Sequence, residues 1–194
     1  MKIRDSGMPD EAYWESLFDV PLILTRLDIG QFHDVAELGC GYGTFSVPIA
    51  KAINGTLYTF DVDPDMLART RQRGAGLRID CRQRDVMESG FGVDADAVLL
   101  FNILHGDRPV ELFRHAANAL RDGGQALVIH WRYGETPRGP NLDIRPRPEQ
   151  VIEWADEARL QPLSEVIDLP PWHYGIRLGS MTDSSALTRT TRGS

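Results

Sequence analysis

A short glycine-rich stretch, AELGCGYGTF, carries the residue types in this sequence that most directly suggest chemistry. Glycines stand at Gly39, Gly41 and Gly43, and the acidic Glu37 stands two positions before the first of them. Glycines at this spacing let a backbone approach a ligand closely. A loop of this kind after the first strand of an α/β sheet is typical of two classes of nucleotide cofactor.

The acidic residue before the loop helps to separate those two classes. Dinucleotide-binding loops show G-x-G-x-x-G, whereas here the glycines alternate and position 44 is Thr. The carboxylate of Glu37 would repel a pyrophosphate. It would attract a ligand that carries an ammonium and a sulfonium, because opposite charges interact most strongly where water is excluded. A nicotinamide-dependent oxidoreductase is therefore the less favoured alternative.

Three more polar residues follow later strand-like segments. Asp61 ends TLYTFD, where its carboxylate could accept hydrogen bonds from both hydroxyls of a ribose. Asp85 follows the strand-like segment 77–84 and could accept a hydrogen bond from the exocyclic amine of a base. His105, in FNILHG, follows an apolar run and is the candidate general base. The alternative for His105 is a hydrogen-bonded structural histidine.

Alternating strands and helices would position these residues. Strands are predicted at 34–38, 56–61, 77–84, 97–101 and 125–131, and helices at 44–53, after Asp63, after Asp107 and around 149–159. This alternation predicts an α/β, doubly wound, Rossmann-like fold, with a mostly parallel sheet and helices on both faces. Such sheets bind ligands beyond the carboxyl ends of their strands, where the glycine loop and the two aspartates would meet.

The last third of the chain breaks this alternation. Residues 132–148 are rich in proline, arginine and glycine and are typical of a long loop, placed here on the substrate side. SEVIDL and YGIRLGSM, separated only by PPWH, predict an antiparallel hairpin that completes a seven-stranded sheet. We expect one domain over residues 1–180, with residues 1–30 as a helical lid and residues 181–194 as a flexible tail.

Five segments, in this order and spacing, resemble a known family. ELGCGYG, DVDPDML, RDV, FNILHG and LRDGGQALVI, within residues 34–131, resemble the class I S-adenosylmethionine-dependent methyltransferases. The resemblance implies that Glu37, Gly39, Gly41 and Gly43 surround the methionine part of S-adenosylmethionine.

The same resemblance gives the remaining cofactor contacts. It implies that Asp61 binds the ribose and that Val62 packs on the adenine. Asp85 would meet the adenine amino group, with Val86 beside it, and the backbone near Asn102 would face the methionine end.

The implied reaction is direct in-line transfer of a methyl group. A small-molecule acceptor is favoured because the chain has no room for a separate recognition domain. Candidate substrate contacts are Tyr13, Trp14, Arg132 and His173, and the arginines of the long loop could recognise an anion. The alternative for the arginine-containing loop is a solvated surface loop with no ligand. The alternative for the protein as a whole is a non-catalytic module that binds the cofactor.

Composition narrows the partners further. The chain has 194 residues and a formal net charge of −7 at pH 7, which works against binding nucleic acid. No apolar run approaches a membrane span, and no signal peptide pattern is present. Cys40 and Cys81 lack metal-type spacing, as do the five histidines, so we expect no metal and a cytoplasmic location. The sequence does not indicate an oligomeric state.

Overall fold

The computed structural model describes residues 9–181. The predicted tail lies outside these residues, apart from Met181, as do the first eight residues of the predicted lid. The α-helices are α1 Glu11–Glu15, α2 Val20–Arg26, α3 Ser46–Ala52, α4 Pro64–Arg73, α5 Val86–Ser89, α6 Pro109–Ala119 and α7 Pro148–Glu157. The strands are β1 Val35–Leu38, β2 Leu57–Asp61, β3 Ile79–Gln83, β4 Ala95–Phe101, β5 Leu120–Trp131, β6 Leu160–Pro162, β7 Ile167–Leu169 and β8 His173–Ser180.

The strands form one mixed sheet in the order β3-β2-β1-β4-β5-β8-β6, with β7 also paired to β8. The first five strands are parallel, and β8 runs antiparallel to β5. Leu160 of β6 lies opposite Ser180, and Leu169 of β7 lies opposite His173, so β6 and β7 share the free edge of β8. Eight strands thus fill seven positions. The predicted α/β fold with its closing hairpin is confirmed.

Alternate residues of the central strands point into two separate cores. Val98 of β4 faces a cluster that includes Phe113 of α6, whereas Leu99 faces a cluster that includes Ile23 of α2 and Ile49 of α3. Full burial of an apolar side chain of this size contributes about 1.5–3 kcal/mol to the free energy of folding. Burial on both faces holds the strand ends, and the loops that follow them, in fixed positions.

Two acidic caps begin helices at the carboxyl edge of the sheet. The Asp63 side chain accepts from the backbone N–H of Asp65 at 2.9 Å, and Pro64 occupies the first turn of α4, as the sequence predicts. The Asp85 side chain caps the four-residue α5, which the sequence pattern did not reveal. Within residues 9–181, no helix is both long enough and apolar enough to cross a membrane.

Candidate active site

A cleft with a volume of about 390 Å³ opens at the carboxyl ends of the parallel strands. The glycine loop, the strand ends, α1 and the start of α6 form its walls. The predicted site residues that line it are Trp14, Glu37, Gly39, Gly41, Asp61, Val62, Asp85, Val86, Asn102 and His105. The structure therefore brings together side chains from four strand ends that are far apart in the sequence.

Glu37 is a buried carboxylate at the end of β1, only 3% exposed. The hydroxyls of Ser46 and Thr59 donate to its Oε2 at 2.5 and 2.9 Å. Burial raises the pKa of Glu37 to about 7, and the two hydroxyl donors oppose that rise. A cationic group in the cleft would favour the ionised form of this carboxylate.

The three glycines of the loop all have positive φ, a backbone conformation that residues with a Cβ rarely adopt. They do not share one role. Gly39 and Gly41 line the cleft, whereas Gly43 faces α4, where an added Cβ would lie 3.2 Å from the Thr70 hydroxyl. Gly43 therefore permits close helix packing and does not itself reach the cleft.

Asp61 supports the glycine loop and also faces the cleft. Its Oδ2 accepts from the backbone N–H of Gly41 at 3.3 Å, and its Oδ1 accepts from the N–H of Asp63 at 2.9 Å. A carboxylate oxygen can accept more than one hydrogen bond, so ligand hydroxyls could still bind here. The sequence indicated the ligand role, and the structure adds the support of the loop.

Beyond Asp61 the cleft is lined by two apolar valine side chains and then by the carboxylate of Asp85. Val62 is 41% exposed and Val86 is 1% exposed, and both line the cleft beside Asp85. The Asp85 carboxylate accepts from the backbone N–H of Met87 at 2.9 Å. We call the region of Glu37, Gly39, Gly41, Asp61, Val62, Asp85 and Val86 the glycine-loop side of the cleft.

Buried polar groups follow the end of β4. Asn102 has φ 56°, and neither atom of its side-chain amide has a hydrogen-bond partner among the described residues. His105, three positions later, also lines the cleft. Burial lowers the pKa of His105 below its usual range, so its ring is neutral near pH 7 and can accept a proton.

Three aromatic residues line the cleft near these polar groups: Trp14 of α1, Phe45 after the glycine loop, and Phe101 at the end of β4. Phe45 packs edge-on against Phe101 at 5.2 Å between ring centroids, and Phe18 contacts both Trp14 and Phe45. Sequence reasoning missed Phe45 and Phe101, because their meeting depends on contacts between distant elements. We call Trp14, Phe45, Phe101, Asn102 and His105 the aromatic side.

Three predicted substrate contacts do not line the cleft. Tyr13 is 44% exposed and lies beside Trp14 in α1 but outside the cleft lining. Arg132 donates to the backbone oxygen of His173 at 3.2 Å and pairs with the carboxylate of Asp168. His173 is fully buried, with its ring stacked against Phe18. This placement gives no support to a substrate role for these three residues.

The long loop after β5 is held in shape by its own arginine. Arg145 is 7% exposed and donates to the backbone oxygens of Arg132, Gly134 and Pro140 and to the Thr136 hydroxyl, at 2.7–3.1 Å. Because these contacts occupy its guanidinium, Arg145 is a structural clamp. Residues 132–148 contribute nothing to the cleft lining, and the predicted anion-recognising role of the loop gains no support.

Helix α1 is tied to α4 by ion pairs beside the cleft. Glu11 pairs with Arg69 at 3.2 Å and with Arg73 at 2.8 Å, and Glu15 pairs with Arg73 at 2.8 Å. Arg73 also donates to the backbone oxygen of Tyr42 in the glycine loop. We call Glu11, Glu15, Arg69 and Arg73 the α1 latch. It holds Trp14 over the cleft.

One cluster of possible metal ligands lies at the opposite edge of the sheet. Atoms of His33, Asp34 and Asp96 lie within 4.8 Å of one another near the amino ends of β1 and β4. Arg121 pairs with both carboxylates, at 2.8 and 3.1 Å, and so supplies the positive charge there. The absence of a metal stays a prediction.

Comparison with known proteins gives a family match. A family model described as "Methyltransferase domain" matches residues 35–124. Acetylserotonin O-methyltransferase of Mus musculus is 29% identical over 133 residues, which are 63% of this chain and 34% of that protein. The chain thus spans about a third of the length of this curated relative.

Two solved structures share the fold. A SAM-dependent methyltransferase from Aquifex aeolicus has a TM-score of 0.75 at 18% identity, over 87% of this chain and 93% of that chain. Human N-acetylserotonin methyltransferase in complex with SAM has a TM-score of 0.70 at 20% identity, over 84% of this chain and 52% of that chain. The family match includes the glycine loop, Asp61, Asp85 and His105. Residues 35–124 therefore match a methyltransferase domain, and the chain shares its fold with S-adenosylmethionine-dependent methyltransferases of known structure.

Proposed function

We propose that this protein transfers a methyl group from S-adenosylmethionine to a hydroxyl of a small molecule, with His105 as the general base. The observation that carries the proposal is the cleft itself. It joins a glycine loop and buried Glu37 on one side to a neutral histidine and aromatic rings on the other. The hydroxyl acceptor is inferred from the acetylserotonin O-methyltransferase relative.

The glycine-loop side fits S-adenosylmethionine in its charges and donors. Glu37 would face the cationic methionine end, with the backbone of Gly39 and Gly41 close to it. Asp61 would accept from the ribose hydroxyls, and Asp85 from the adenine amine. Val62 and Val86 would pack beside the adenine, and Asn102 would meet the methionine end with its unpartnered amide.

Bound S-adenosylmethionine supplies a methyl group on a positively charged sulfur, which leaves as a neutral thioether when a nucleophile attacks. The residues of the chain do the rest. His105 takes the proton from the acceptor hydroxyl, so that the oxygen can form the new bond to the methyl carbon. Trp14, Phe45 and Phe101 exclude water and orient the acceptor.

A small acceptor fits the dimensions of the cleft. Its volume of about 390 Å³ lies within the usual range for small-molecule sites, about 300–1,000 Å³. The aromatic side offers apolar surface, and the two arginines that line the cleft have partners: Arg84 donates to the backbone oxygen of Gly90, and Arg108 pairs with Glu111 at 2.9 Å. An acceptor with an apolar, planar body and a hydroxyl is therefore favoured over an anionic one.

The domain organisation follows the same proposal. Residues 1–180 would act as one catalytic domain, and α1 would be the lid, held closed by its latch to α4. Neither the oxidoreductase nor the non-catalytic alternative gains support from the relatives described above.

The test uses methyl-labelled S-adenosylmethionine and an extract of small metabolites, with products identified by mass spectrometry. We expect label on the oxygen of a small molecule, and loss of that product in His105→Ala. His33→Ala is the matched control, because His33 is exposed at the opposite sheet edge. Label on nitrogen, carbon or sulfur would overturn the hydroxyl assignment, and equal turnover by His105→Ala would remove the base.

A further inference from the structure

Two histidine rings lie side by side at the ends of neighbouring strands. His105 follows β4 and His130 is in β5, and their ring centroids are 5.8 Å apart with the rings at 72°. Strands β4 and β5 are paired in parallel, so this proximity is built into the sheet. Only His105 lines the cleft, and His130 lies behind it.

The two nitrogens of His105 have different surroundings. Its Nδ1 is buried and has no hydrogen-bond partner among the described residues. Its Nε2 does not belong to the buried atoms that lack a partner. A base must present a nitrogen lone pair to the acceptor, so the ring proton has to sit on the other nitrogen. In water the opposite tautomer, with the proton on Nε2, predominates for a free histidine side chain. Something must therefore fix the proton of His105 on Nδ1.

The buried position of the polar His130 ring is energetically unfavourable. It is fully buried in a strand whose neighbouring residues Ile129 and Trp131 are apolar, and neither of its nitrogens has a partner within residues 9–181. Burial of a polar atom without a hydrogen-bond partner is unfavourable, so such a group in a native core requires an explanation. An apolar residue would fill this strand position at no such cost.

His130 stays neutral, which leaves one of its nitrogens as an acceptor. The pKa of His130 is lowered to about 3, chiefly by burial; His105, His173 and Arg145 act in the same direction, and the backbone of Trp131 opposes them. Tyr174, on β8, is a further titratable ring close by, at 6.3 Å between centroids. No acidic residue is among the groups that shift the pKa of His130.

We propose that His130 is a positioning residue that accepts a hydrogen bond from Nδ1–H of His105 and so directs the Nε2 lone pair into the cleft. A rotation of either ring, or one bridging water, closes the distance between the two rings. When Nε2 takes a proton from the acceptor, the same hydrogen bond stabilises the imidazolium that forms. The catalytic consequence rests on the proposed function, but the tautomer does not.

The test is the tautomer of His105, read from the nitrogen chemical shifts of its ring by NMR above pH 7. In the wild-type protein we expect the proton on Nδ1. In His130→Leu we expect the Nε2–H form to gain population, and in His130→Gln, which keeps an acceptor oxygen, we expect Nδ1–H to be partly restored. A wild-type ring with its proton on Nε2, or an unchanged tautomer in folded His130→Leu, would overturn the proposal.

Stability and kinetics separate positioning from packing. His130→Leu removes the acceptor of the proposed pair but also the second buried His130 nitrogen, which the pair leaves without a partner, so its melting temperature should stay close to that of the wild type, while kcat falls about tenfold and KM stays unchanged. A lower melting temperature with an unaltered tautomer would mark His130 as a packing residue and contradict us. If the wild type methylates no acceptor, the proposed function fails, and the tautomer still decides the role of His130.

Discussion

The two sides of the cleft are built in different ways. On the glycine-loop side, backbone turns and carboxylates follow directly from short segments after β1, β2 and β3. On the aromatic side, Trp14, Phe45 and Phe101 meet only because α1, the loop before α3 and β4 pack together. The first side is fixed by local sequence, and the second by tertiary packing. Mutations should therefore separate cofactor binding from acceptor chemistry.

Removing the candidate base should have the largest effect. His105→Ala should lower the rate of methyl transfer at saturating cofactor by about 100-fold or more, because general-base catalysis contributes about 10²–10⁴-fold. The measurement is a single-turnover experiment with the acceptor that the labelling identifies. His33→Ala should keep the full rate. A loss of less than about threefold in His105→Ala would place the base elsewhere.

Asp61 should give the next largest effect, on the opposite side. Asp61→Asn keeps an oxygen near Gly41 but removes the negative charge. Each hydrogen bond from a ligand hydroxyl to a charged carboxylate contributes about 1.5–3 kcal/mol to the binding free energy. We expect affinity for S-adenosylmethionine to fall about tenfold or more. Asp61→Ala should lose still more, because it also removes the support of the loop. Equal affinities for both variants and the wild type would take Asp61 out of the site.

Glu37 should make cofactor binding depend on pH. Its folded-state pKa of about 7 is above the usual value of 4.5, so the carboxyl is mostly protonated at pH 6 and mostly ionised at pH 8. A ligand ammonium beside Glu37 prefers the ionised form, so affinity should rise by up to about tenfold over this interval. S-adenosylhomocysteine is the probe, and Glu37→Gln should have a flatter profile. Matching slopes in the two proteins would contradict this reading.

The α1 latch should give the smallest effect. Its ion pairs are partly exposed, and such pairs contribute about 0–1 kcal/mol. Glu11→Gln should speed cofactor release by about twofold to fivefold, and added salt should narrow the difference from the wild type. Asp80→Asn, which breaks an exposed pair with Arg82 on β3, is the control. A release rate in Glu11→Gln that matches the control would show that the latch does not restrain α1.

The difference between features fixed by local sequence and features fixed by tertiary packing also explains which parts of the fold the sequence could predict. The five parallel strands, the Asp63 cap and the closing hairpin each have a local pattern, and all were predicted. Strand β6 has three residues and ends at Pro162, too short a pattern to recognise. It forms because β8 offers it an edge.

Side-chain placement within the site divides in the same manner. Glu37 and Asp61 were predicted on the cleft from their positions at strand ends, and the structure places them there. For the arginines, residue type suggested anion binding, but the structure directs Arg145 to backbone oxygens and Arg132 to Asp168. Whether an arginine faces a ligand or its own loop depends on long-range contacts that a single sequence does not reveal.

The most direct test of the division between the two sides is a calorimetric titration of S-adenosylhomocysteine into His105→Ala and Asp61→Asn. We expect His105→Ala to bind with the affinity of the wild type and Asp61→Asn to bind about tenfold or more weakly. Comparable losses in both variants, or a loss in His105→Ala alone, would contradict the separation of cofactor binding from acceptor chemistry.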